Sequence, residues 1–269
     1  MDKRVLEKIR KIVHEKSGIS LGENKNVLVT SRLGKRMKLL DITDYSEYLK
    51  YLTGENGEDE TIKLLDVVST NVTSFFREGE HFELLRKVVL NWKKNRQSRF
   101  RIWSAACSTG EEAYSIAMTL CEMADIYQGN VKILATDLST DVLGTAKEGI
   151  YSKEKTKGIS SQMLTKYFNT VRGSEDNDVQ ANDQIKKMIS FYRLNLAEIP
   201  YPMSGPFDVV FCRNVMIYFQ NDFREKLLRE IARLIRPDGY FFTGHSESII
   251  NLSDDFKSLG PSVYIKKAG

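Results

Sequence analysis

The segment whose residue types most directly suggest chemistry is an apolar run that ends in polar side chains. The run begins after a Gly-Pro pair, extends from Phe207 to Cys212, and is followed by Arg213, Asn214 and Tyr218. A short apolar run between turn signals is typical of a strand buried on both faces of a parallel sheet. Open α/β sheets bind their ligands outside the carboxyl ends of the strands. We therefore expect Arg213, Asn214 and Tyr218 to converge on one ligand site.

A second group of candidate residues follows two other predicted strands. The turn after the strand Phe100–Trp103 has one glycine, Gly110, and then two acids, Glu111 and Glu112. Asp137 ends the next strand, where nucleoside-binding sheets hold ribose hydroxyls with a carboxylate. Acids at a helix start repel a pyrophosphate, although stabilisation of the helix dipole is an alternative explanation for them. The pattern favours S-adenosylmethionine, which carries a sulfonium, an ammonium and a ribose without phosphate, over NAD.

The elements that must position these residues alternate between strand and helix. Strands are predicted at Phe100–Trp103, Val131–Thr136, Met188–Leu194, Phe207–Cys212, Tyr240–Thr243 and Ser262–Lys266. Such alternation predicts a mostly parallel sheet covered on both faces. We expect Asp222 to cap the helix that follows the fourth strand, and Pro237-Asp238-Gly239 to form a turn before the fifth. The stretch from Gly149 to Lys187 is too long for a simple connection and indicates an inserted subdomain.

The first part of the chain has the apolar spacing of helices. Four short helical stretches precede residue 70, and Asp44 with Glu47 three residues later is a capping pattern for one of them. We predict a helical N-terminal domain at 1–76, a linker helix and joint at 77–98, and the α/β domain at 99–269, with the insert at about 150–187.

Composition limits the class of protein. The chain has 269 residues, 41% of them hydrophobic and 28% charged, which suits a packed core with a polar surface. We find neither an apolar stretch of membrane-spanning length nor a signal peptide. Three cysteines without C-x-x-C spacing predict free thiols in a reducing cytoplasm: Cys107, Cys121 and Cys212. The histidines lie far apart in the sequence, which argues against a metal site and a Cys-His pair: His14, His81 and His245.

Positive charge is concentrated near the N-terminus. Residues 1–38 contain eleven Lys and Arg against four Asp and Glu, a local excess of +7, whereas the whole chain has a net charge of +4. The stripe of Arg32, Lys35, Arg36 and Lys38 surrounds an apolar helix face, so we expect its charges to point to solvent and to bind an acidic partner. A solvated face without any partner is the alternative.

Four motifs in order resemble the signatures of the bacterial chemotaxis receptor methyltransferases. They are Thr70–Glu78, Trp103–Glu112, Phe211–Phe219 and Gly244–Glu247, and the resemblance spans nearly the whole chain. It implies an all-helical N-terminal domain before a Rossmann-like S-adenosylmethionine-dependent methyltransferase domain with an inserted small β-subdomain. It also implies methyl esterification of specific glutamates on the cytoplasmic helices of transmembrane chemoreceptors.

The resemblance also implies roles for individual positions. The family's cofactor contacts fall on Asn71, Thr73, Arg77, Glu112, Asp137, Asn195, Leu196, Arg213 and Asn214. Tyr218 matches a tyrosine near the transferred methyl, and we predict catalytic roles for Arg77 and Tyr218. Ala113 departs from the proline of many members, and we expect little consequence. We further expect a cytoplasmic monomer that needs no metal, does not insert into the membrane and has no nucleic-acid partner.

The implied reaction suits these residues. A glutamate side chain, with a reference pKa of about 4.3, is already a nucleophile at neutral pH. Methyl transfer to it therefore needs alignment, which can contribute roughly 7–11 kcal/mol, rather than a general base. Arg77 could orient a carboxylate and Tyr218 could hold the acceptor oxygen. An interdomain salt bridge is the alternative role for Arg77, and core packing is the alternative for Tyr218.

Other functions compete with this one. A nucleic-acid methyltransferase would share the fold and the cofactor, but it usually needs a pocket for a flipped base and aromatic residues among the basic ones, which the stripe from Arg32 to Lys38 lacks. A non-catalytic receptor-binding module would keep the basic helix but need not keep Asn71, Arg77 and Asp137 together. An NAD-dependent oxidoreductase is disfavoured by the missing glycines.

Overall fold

The N-terminal part of the chain is entirely helical. The computed structural model of the protein describes residues 3–21, 26–123, 130–171, 173 and 178–268. Its first four helices are α1 (Lys3–Ser17), α2 (Asn26–Leu39), α3 (Tyr45–Leu52) and α4 (Gly57–Val68). Nowhere in the described ranges is a helix both long enough and apolar enough to cross a membrane.

The four helices pack around an apolar core of their own. Asp44 accepts hydrogen bonds from the backbone N–H groups of Ser46 and Glu47, at 3.0 and 3.1 Å, and so confirms the predicted cap of α3. The core takes buried side chains from every helix, among them Leu6, Ile9, Val13, Leu33, Met37, Tyr48, Leu64 and Leu65.

The remainder of the chain alternates helices with strands. The helices are α5 (Glu80–Lys94), α6 (Glu111–Cys121), α7 (Thr140–Glu148), α8 (Ser161–Tyr167), α9 (Asp183–Lys186) and α10 (Asn221–Leu234). The strands are β1 (Phe100–Ala105), β2 (Val131–Asp137), β3 (Ile150–Tyr151), β4 (Phe168–Thr170), β5 (Val179–Ala181), β6 (Ile189–Arg193), β7 (Phe207–Cys212), β8 (Ile235–Phe242), β9 (Phe256–Gly260) and β10 (Val263–Lys266).

Seven strands form one twisted sheet in the order β6-β2-β1-β7-β8-β10-β9. The pairs from β6 to β8 are parallel, and β10 runs antiparallel to both of its neighbours. Both faces are covered, because alternate residues of β1 enter different cores: Ile102 packs beside α5 and α6, and Trp103 packs beside α10. The strand order reverses between β1 and β7, so the carboxyl ends of these strands open a crevice at the switch point.

The insert forms a second, three-stranded antiparallel sheet in the order β3-β5-β4. It packs against the segment that joins the two domains: the Phe75 ring makes edge contacts with Tyr151 and Phe168, at centroid distances of 4.9 and 5.8 Å. A Cβ atom on Gly158 would lie 2.5 Å from the Phe75 carbonyl oxygen. The insert therefore supports the residues that precede Arg77. Part of its predicted polar middle, 174–177, lies outside the described residues.

Three local predictions differ from the structure. The cap of α10 is Gln220 rather than Asp222, which lies inside the first turn. Strand β8 begins at Ile235, and the predicted turn at Pro237-Asp238-Gly239 is an irregularity within it. Strand β9 was not predicted, because most of its residues are exposed and it carries little apolar signal. The predicted domain boundaries at residues 76 and 98 stay predictions. Helix α5, which lies between them, packs into the core of the sheet through Phe82 and Leu85.

Candidate active site

A cavity lies between the helical domain and the carboxyl ends of the central strands. It contains about 900 Å³ of space without atoms, part of which is open to solvent. All the residues predicted to bind cofactor or to act in catalysis line it: Asn71, Thr73, Arg77, Glu112, Asp137, Asn195, Leu196, Arg213, Asn214 and Tyr218. The parallel sheet brings together the residues that follow four of its strands, as the strand-end reasoning predicts. Asn71, Thr73 and Arg77 come from the segment before α5.

The helical domain closes one side of this cavity. The Asn195 amide donates to the Lys16 carbonyl at 2.6 Å, and the Ser20 N–H donates to the Tyr218 carbonyl at 2.8 Å. Asp66 of α4 accepts both the backbone and the hydroxyl hydrogen bonds of Thr140, each at 2.9 Å. The end of α1 and the segment 69–74 therefore form a wall of the site.

Asp137 is fixed where β2 ends. Its carboxylate accepts the Ser108 N–H at 2.7 Å and the Ser139 N–H at 3.0 Å, and the residue is 8% exposed. Burial raises the pKa of Asp137, and these two backbone donors oppose that rise. Since a carboxylate has about four lone-pair positions, Asp137 retains acceptor capacity toward the cavity.

The two acids at the start of α6 have different environments. Glu112 lines the cavity, where its carboxylate accepts the Ser104 hydroxyl at 2.6 Å and an Arg213 N–H at 3.1 Å. Burial raises the pKa of Glu112, and the charge of Arg213 opposes the rise. Glu111 accepts the Thr109 hydroxyl at 2.6 Å and does not line the cavity. Of the two acids, Glu112, the one predicted to contact the cofactor, lies in the cavity lining.

Arg213 joins three parts of the site. Its side chain is 2% exposed, and it donates to Glu112, to Glu78 at 2.9 Å and to the Arg77 carbonyl. A buried guanidinium with these partners fixes the start of α6 and the residues before α5 against the end of β7. Arg213 therefore also positions other residues of the site. Glu78 was assigned no role from sequence, although it ends the first motif.

Glu247 holds the loop after β7, and sequence reasoning missed this role too. The carboxylate is 1% exposed and accepts the backbone N–H groups of Asn214 at 2.6 Å, Gly244 at 2.7 Å and Ile217 at 3.2 Å. A Cβ atom on Gly244 would lie 2.5 Å from the side-chain Nδ2 of Asn214 and 2.8 Å from Glu247 Oε2, so a larger residue there would displace these two side chains. Its place in the fourth motif was the one available signal for Glu247.

Unusual backbone conformations cluster around the cavity. Non-glycine residues with positive φ, between 50° and 64°, occur in the loop after β1, after β7 and before α5: Phe76, Glu78, Ala106, Ser108 and Asn214. Left-handed conformations cost of order 1–3 kcal/mol each and persist where the surroundings impose them. Here the hydrogen bonds of Arg213, Glu247 and Asp137 supply that constraint.

Arg77 and Tyr218, the predicted catalytic residues, are both half-buried in the cavity lining. Arg77 donates to the Val72 carbonyl at 3.1 Å, which shapes the polar loop before it. Tyr218 also packs against the apolar cluster on the α10 side of the sheet. Position therefore suits a role in the reaction for both residues, which stays a prediction.

The basic stripe differs from expectation. Arg36 forms a two-pronged ion pair with Glu60, at 2.6 and 3.0 Å, and the Glu60 side chain is 1% exposed. Arg32 donates to the Val68 and Ser69 carbonyls at the end of α4, at 3.0 and 2.7 Å. The prediction that all four charges point to solvent is thus wrong for these two arginines, because they lie on the side of α2 that packs on α4. Lys35 and Lys38 are exposed.

Two histidines that are far apart in sequence meet beside the cavity. The rings of His81 and His245 have centroids 5.5 Å apart, next to Glu78. Burial, and then the charge of Arg213, lower the pKa of His81 to about 4. The expectation of separated histidines is wrong for this pair.

Comparisons with known families match this architecture. The model described as "CheR methyltransferase, all-alpha domain" matches residues 4–69, and the model "CheR methyltransferase, SAM binding domain" matches residues 71–265. The chain belongs to the CheR methyltransferase family. The chemotaxis protein methyltransferase of Escherichia coli K12 is 38% identical over 96% of this chain and 88% of its own length. Chemotaxis protein methyltransferase 2 of Pseudomonas aeruginosa is 38% identical over 96% of this chain and 91% of its own length. The chemotaxis protein methyltransferase of Borreliella burgdorferi is 38% identical over 97% of this chain and 93% of its own length.

Membership in the CheR family confirms the predicted family, fold class and cofactor, and it shows S-adenosylmethionine-dependent methylation in chemotaxis. The cavity of this CheR methyltransferase fits that cofactor. Asp137 offers an acceptor for ribose hydroxyls, and Glu112 places a second carboxylate in the lining where a phosphate would be repelled. The individual contact residues stay predictions.

Proposed function

We propose that this CheR methyltransferase transfers the methyl group of S-adenosylmethionine to glutamate side chains on the cytoplasmic helices of chemoreceptors. The composition of the cavity lining carries the proposal: within the described part of the chain, it contains no histidine, cysteine or lysine. An amine or hydroxyl acceptor would need a base to remove its proton. A glutamate carboxylate, with a reference pKa of about 4.3, is already ionised at neutral pH. The lining therefore suits a carboxylate acceptor.

The two acids in the lining are poorly suited to act as a base. Asp137 accepts hydrogen bonds from the backbone N–H groups of Ser108 and Ser139. Glu112 accepts hydrogen bonds from the Ser104 hydroxyl and the Arg213 guanidinium. Proton removal by either carboxylate would weaken hydrogen bonds that fix the walls of the site. This supports positioning, rather than acid–base chemistry, as the contribution of the protein.

When bound, S-adenosylmethionine supplies an electrophilic methyl group on its sulfonium. Asp137 would accept hydrogen bonds from the ribose, and Arg77 would orient a carboxylate by charge-assisted hydrogen bonds. Tyr218 would hold the acceptor oxygen. The further cofactor contacts in the proposal are Asn71, Thr73, Glu112, Asn195, Leu196, Arg213 and Asn214. Alignment of this kind can contribute roughly 7–11 kcal/mol toward lowering the barrier.

The proposal of a receptor partner rests on positive charge at the surface of α2. Lys35 and Lys38 are exposed on α2 and would steer the acidic, methylatable face of receptor helices toward the enzyme. Arg32 and Arg36 would act only indirectly, because both are bound within the helical domain. A receptor substrate of this kind would put the enzyme in the cytoplasm. The predicted monomeric state stays a prediction.

The proposal is tested by incubating the enzyme with S-adenosylmethionine labelled in its methyl group and with membranes containing chemoreceptors. Label should enter the receptor and be released by alkali, because methyl esters hydrolyse in base whereas N-methyl groups do not. Receptor whose candidate glutamates are replaced by alanine serves as the control and should remain unlabelled. Alkali-stable label, or label recovered in nucleic acid, would refute glutamate esterification.

A further inference from the structure

Glu78, His81 and His245 form a compact group of possible metal ligands outside the cavity lining. One carboxylate oxygen and two imidazole nitrogens all lie within 4.8 Å of one another. The Glu78 Oε2 atom is 3.6 Å from His81 Nδ1 and 4.0 Å from His245 Nε2. A tetrahedral ion with ligand distances of about 2.0–2.2 Å separates its ligand atoms by about 3.4 Å. Small side-chain movements would therefore bring all three atoms into a first coordination sphere.

His81 supplies an independent indication that something binds there. The residue is 1% exposed, and its Nε2 lies 2.9 Å from the Ser262 hydroxyl oxygen. That hydroxyl is also placed to donate to the Pro261 carbonyl at 2.7 Å, and when it does so it accepts a hydrogen bond from His81 Nε2–H. In that tautomer His81 Nδ1 is unprotonated and carries a lone pair.

His81 Nδ1 has no hydrogen-bond partner among the described residues. The atom is buried without a hydrogen bond, and its nearest charged neighbour is the Glu78 carboxylate. Two electron-rich atoms facing each other in a buried place are unfavourable unless a cation or a donor lies between them. The contact between His81 Nε2 and the Ser262 hydroxyl orients the ring in the way that an outer hydrogen bond orients a histidine bound to metal through its other nitrogen.

Charge and access both favour a cation. Glu80 contacts His245 Nε2, so Glu78 and Glu80 bring two carboxylates to this group. The nearby guanidinium of Arg213 is shared with Glu112 and offsets only part of that negative charge. The His245 side chain is 51% exposed, which gives an ion a route from solvent and lets His245 adjust its position.

We propose that Glu78, His81 and His245 bind one divalent transition-metal ion of the zinc type, with Glu80 or water in the remaining position. Two imidazoles and a carboxylate suit zinc and its analogues rather than calcium or magnesium. The ion would join the residues before α5 to the loop that contains Gly244 and Glu247. That connection stabilises the support of the cofactor cavity and takes no part in methyl transfer.

Calorimetric titration of the chelator-treated full chain with zinc, and with cobalt(II) as a spectroscopic substitute, tests the site. We expect one ion per wild-type chain. His245→Ala and Glu78→Gln should each lower the affinity at least tenfold, whereas His14→Ala, which removes a histidine from α1, should not. Cobalt should give absorption without a sulfur-to-metal band, because the ligands are nitrogen and oxygen. Equal binding by wild type and His245→Ala, or no stoichiometric binding, overturns the proposal.

Thermal unfolding separates metal binding from a purely structural role of these side chains. The measured quantity is the change in Tm between zinc and chelator for each variant, so an intrinsic loss of stability cancels. At a zinc concentration about 100 times Kd, wild type and His14→Ala should gain about 5 °C or more, and His245→Ala should gain nothing. If a water molecule satisfies His81 instead, no variant gains stability from zinc, and the proposal is wrong.

Discussion

Glu247 offers the sharpest test of how the site is held together. Its carboxylate accepts three backbone N–H groups, those of Asn214, Gly244 and Ile217, and does not line the cavity itself. Glu247→Gln keeps the size of the side chain and removes its charge. The glutamine amide oxygen can take the place of Oε2, which accepts the hydrogen bonds of Asn214 and Gly244. The amide NH2 group then takes the place of Oε1 and faces the Ile217 N–H, so that two donors oppose each other.

The expected loss of stability follows from those contacts. Hydrogen bonds to a charged group contribute about 1.5–3 kcal/mol and neutral ones about 0.5–1.5 kcal/mol, so each retained bond weakens by about 1 kcal/mol. The third bond is lost, and the Ile217 N–H is left facing the amide NH2, which costs about 1–3 kcal/mol more. The sum is roughly 3–5 kcal/mol, equivalent to a fall in Tm of roughly 6–20 °C.

Urea and thermal unfolding measure that loss, with Glu83→Gln as the matched control. Glu83 is an exposed acid in the first turn of α5, where the same substitution should change stability by no more than about 1 kcal/mol. Calorimetric titration with S-adenosylhomocysteine should also show weaker binding to Glu247→Gln, since the loop carries Asn214 and Tyr218. If Glu247→Gln unfolds and binds like wild type, the carboxylate does not hold the loop.

Three further variants address the proposed reaction, and a fourth addresses the folding of the helical domain. Asp137→Ala should weaken cofactor binding by about 1–3 kcal/mol, the range for a lost charged hydrogen bond; an unchanged Kd in calorimetry would show that Asp137 does not contact the ribose. Tyr218→Phe should keep the fold and most of the cofactor affinity while turnover falls; undiminished turnover would assign Tyr218 to packing alone. Lys35→Glu with Lys38→Glu should slow receptor methylation at low salt without changing cofactor affinity, and the difference should shrink near 1 M salt, where the Debye length is about 3 Å. If the double variant methylates receptor at the wild-type rate, the two lysines belong to a solvated face that does not bind receptor. Arg36→Glu is expected instead to unfold the helical domain, because it would leave two buried or half-buried carboxylates together.

The local structure could be predicted from sequence because its signals are local. The apolar run Phe207–Cys212 is a strand with every residue buried, and Asp44 caps α3 through its own neighbours. Once parallel strands are predicted, their carboxyl ends must share one edge of the sheet. Asp137, Arg213 and Asn214 therefore line one cavity, as expected from their positions after the strands.

Only the tertiary structure decided which polar side chains pair across the chain. Arg36 is bound by Glu60 instead of facing solvent, and His81 meets His245. Periodicity and capping report on a residue's neighbours in sequence, whereas each of these outcomes depends on the packing of two elements that are remote in sequence. The apolar pattern indicates which face of a helix packs inward. It does not indicate which other helix lies against that face, and this decides the partner of each charged side chain at its edge.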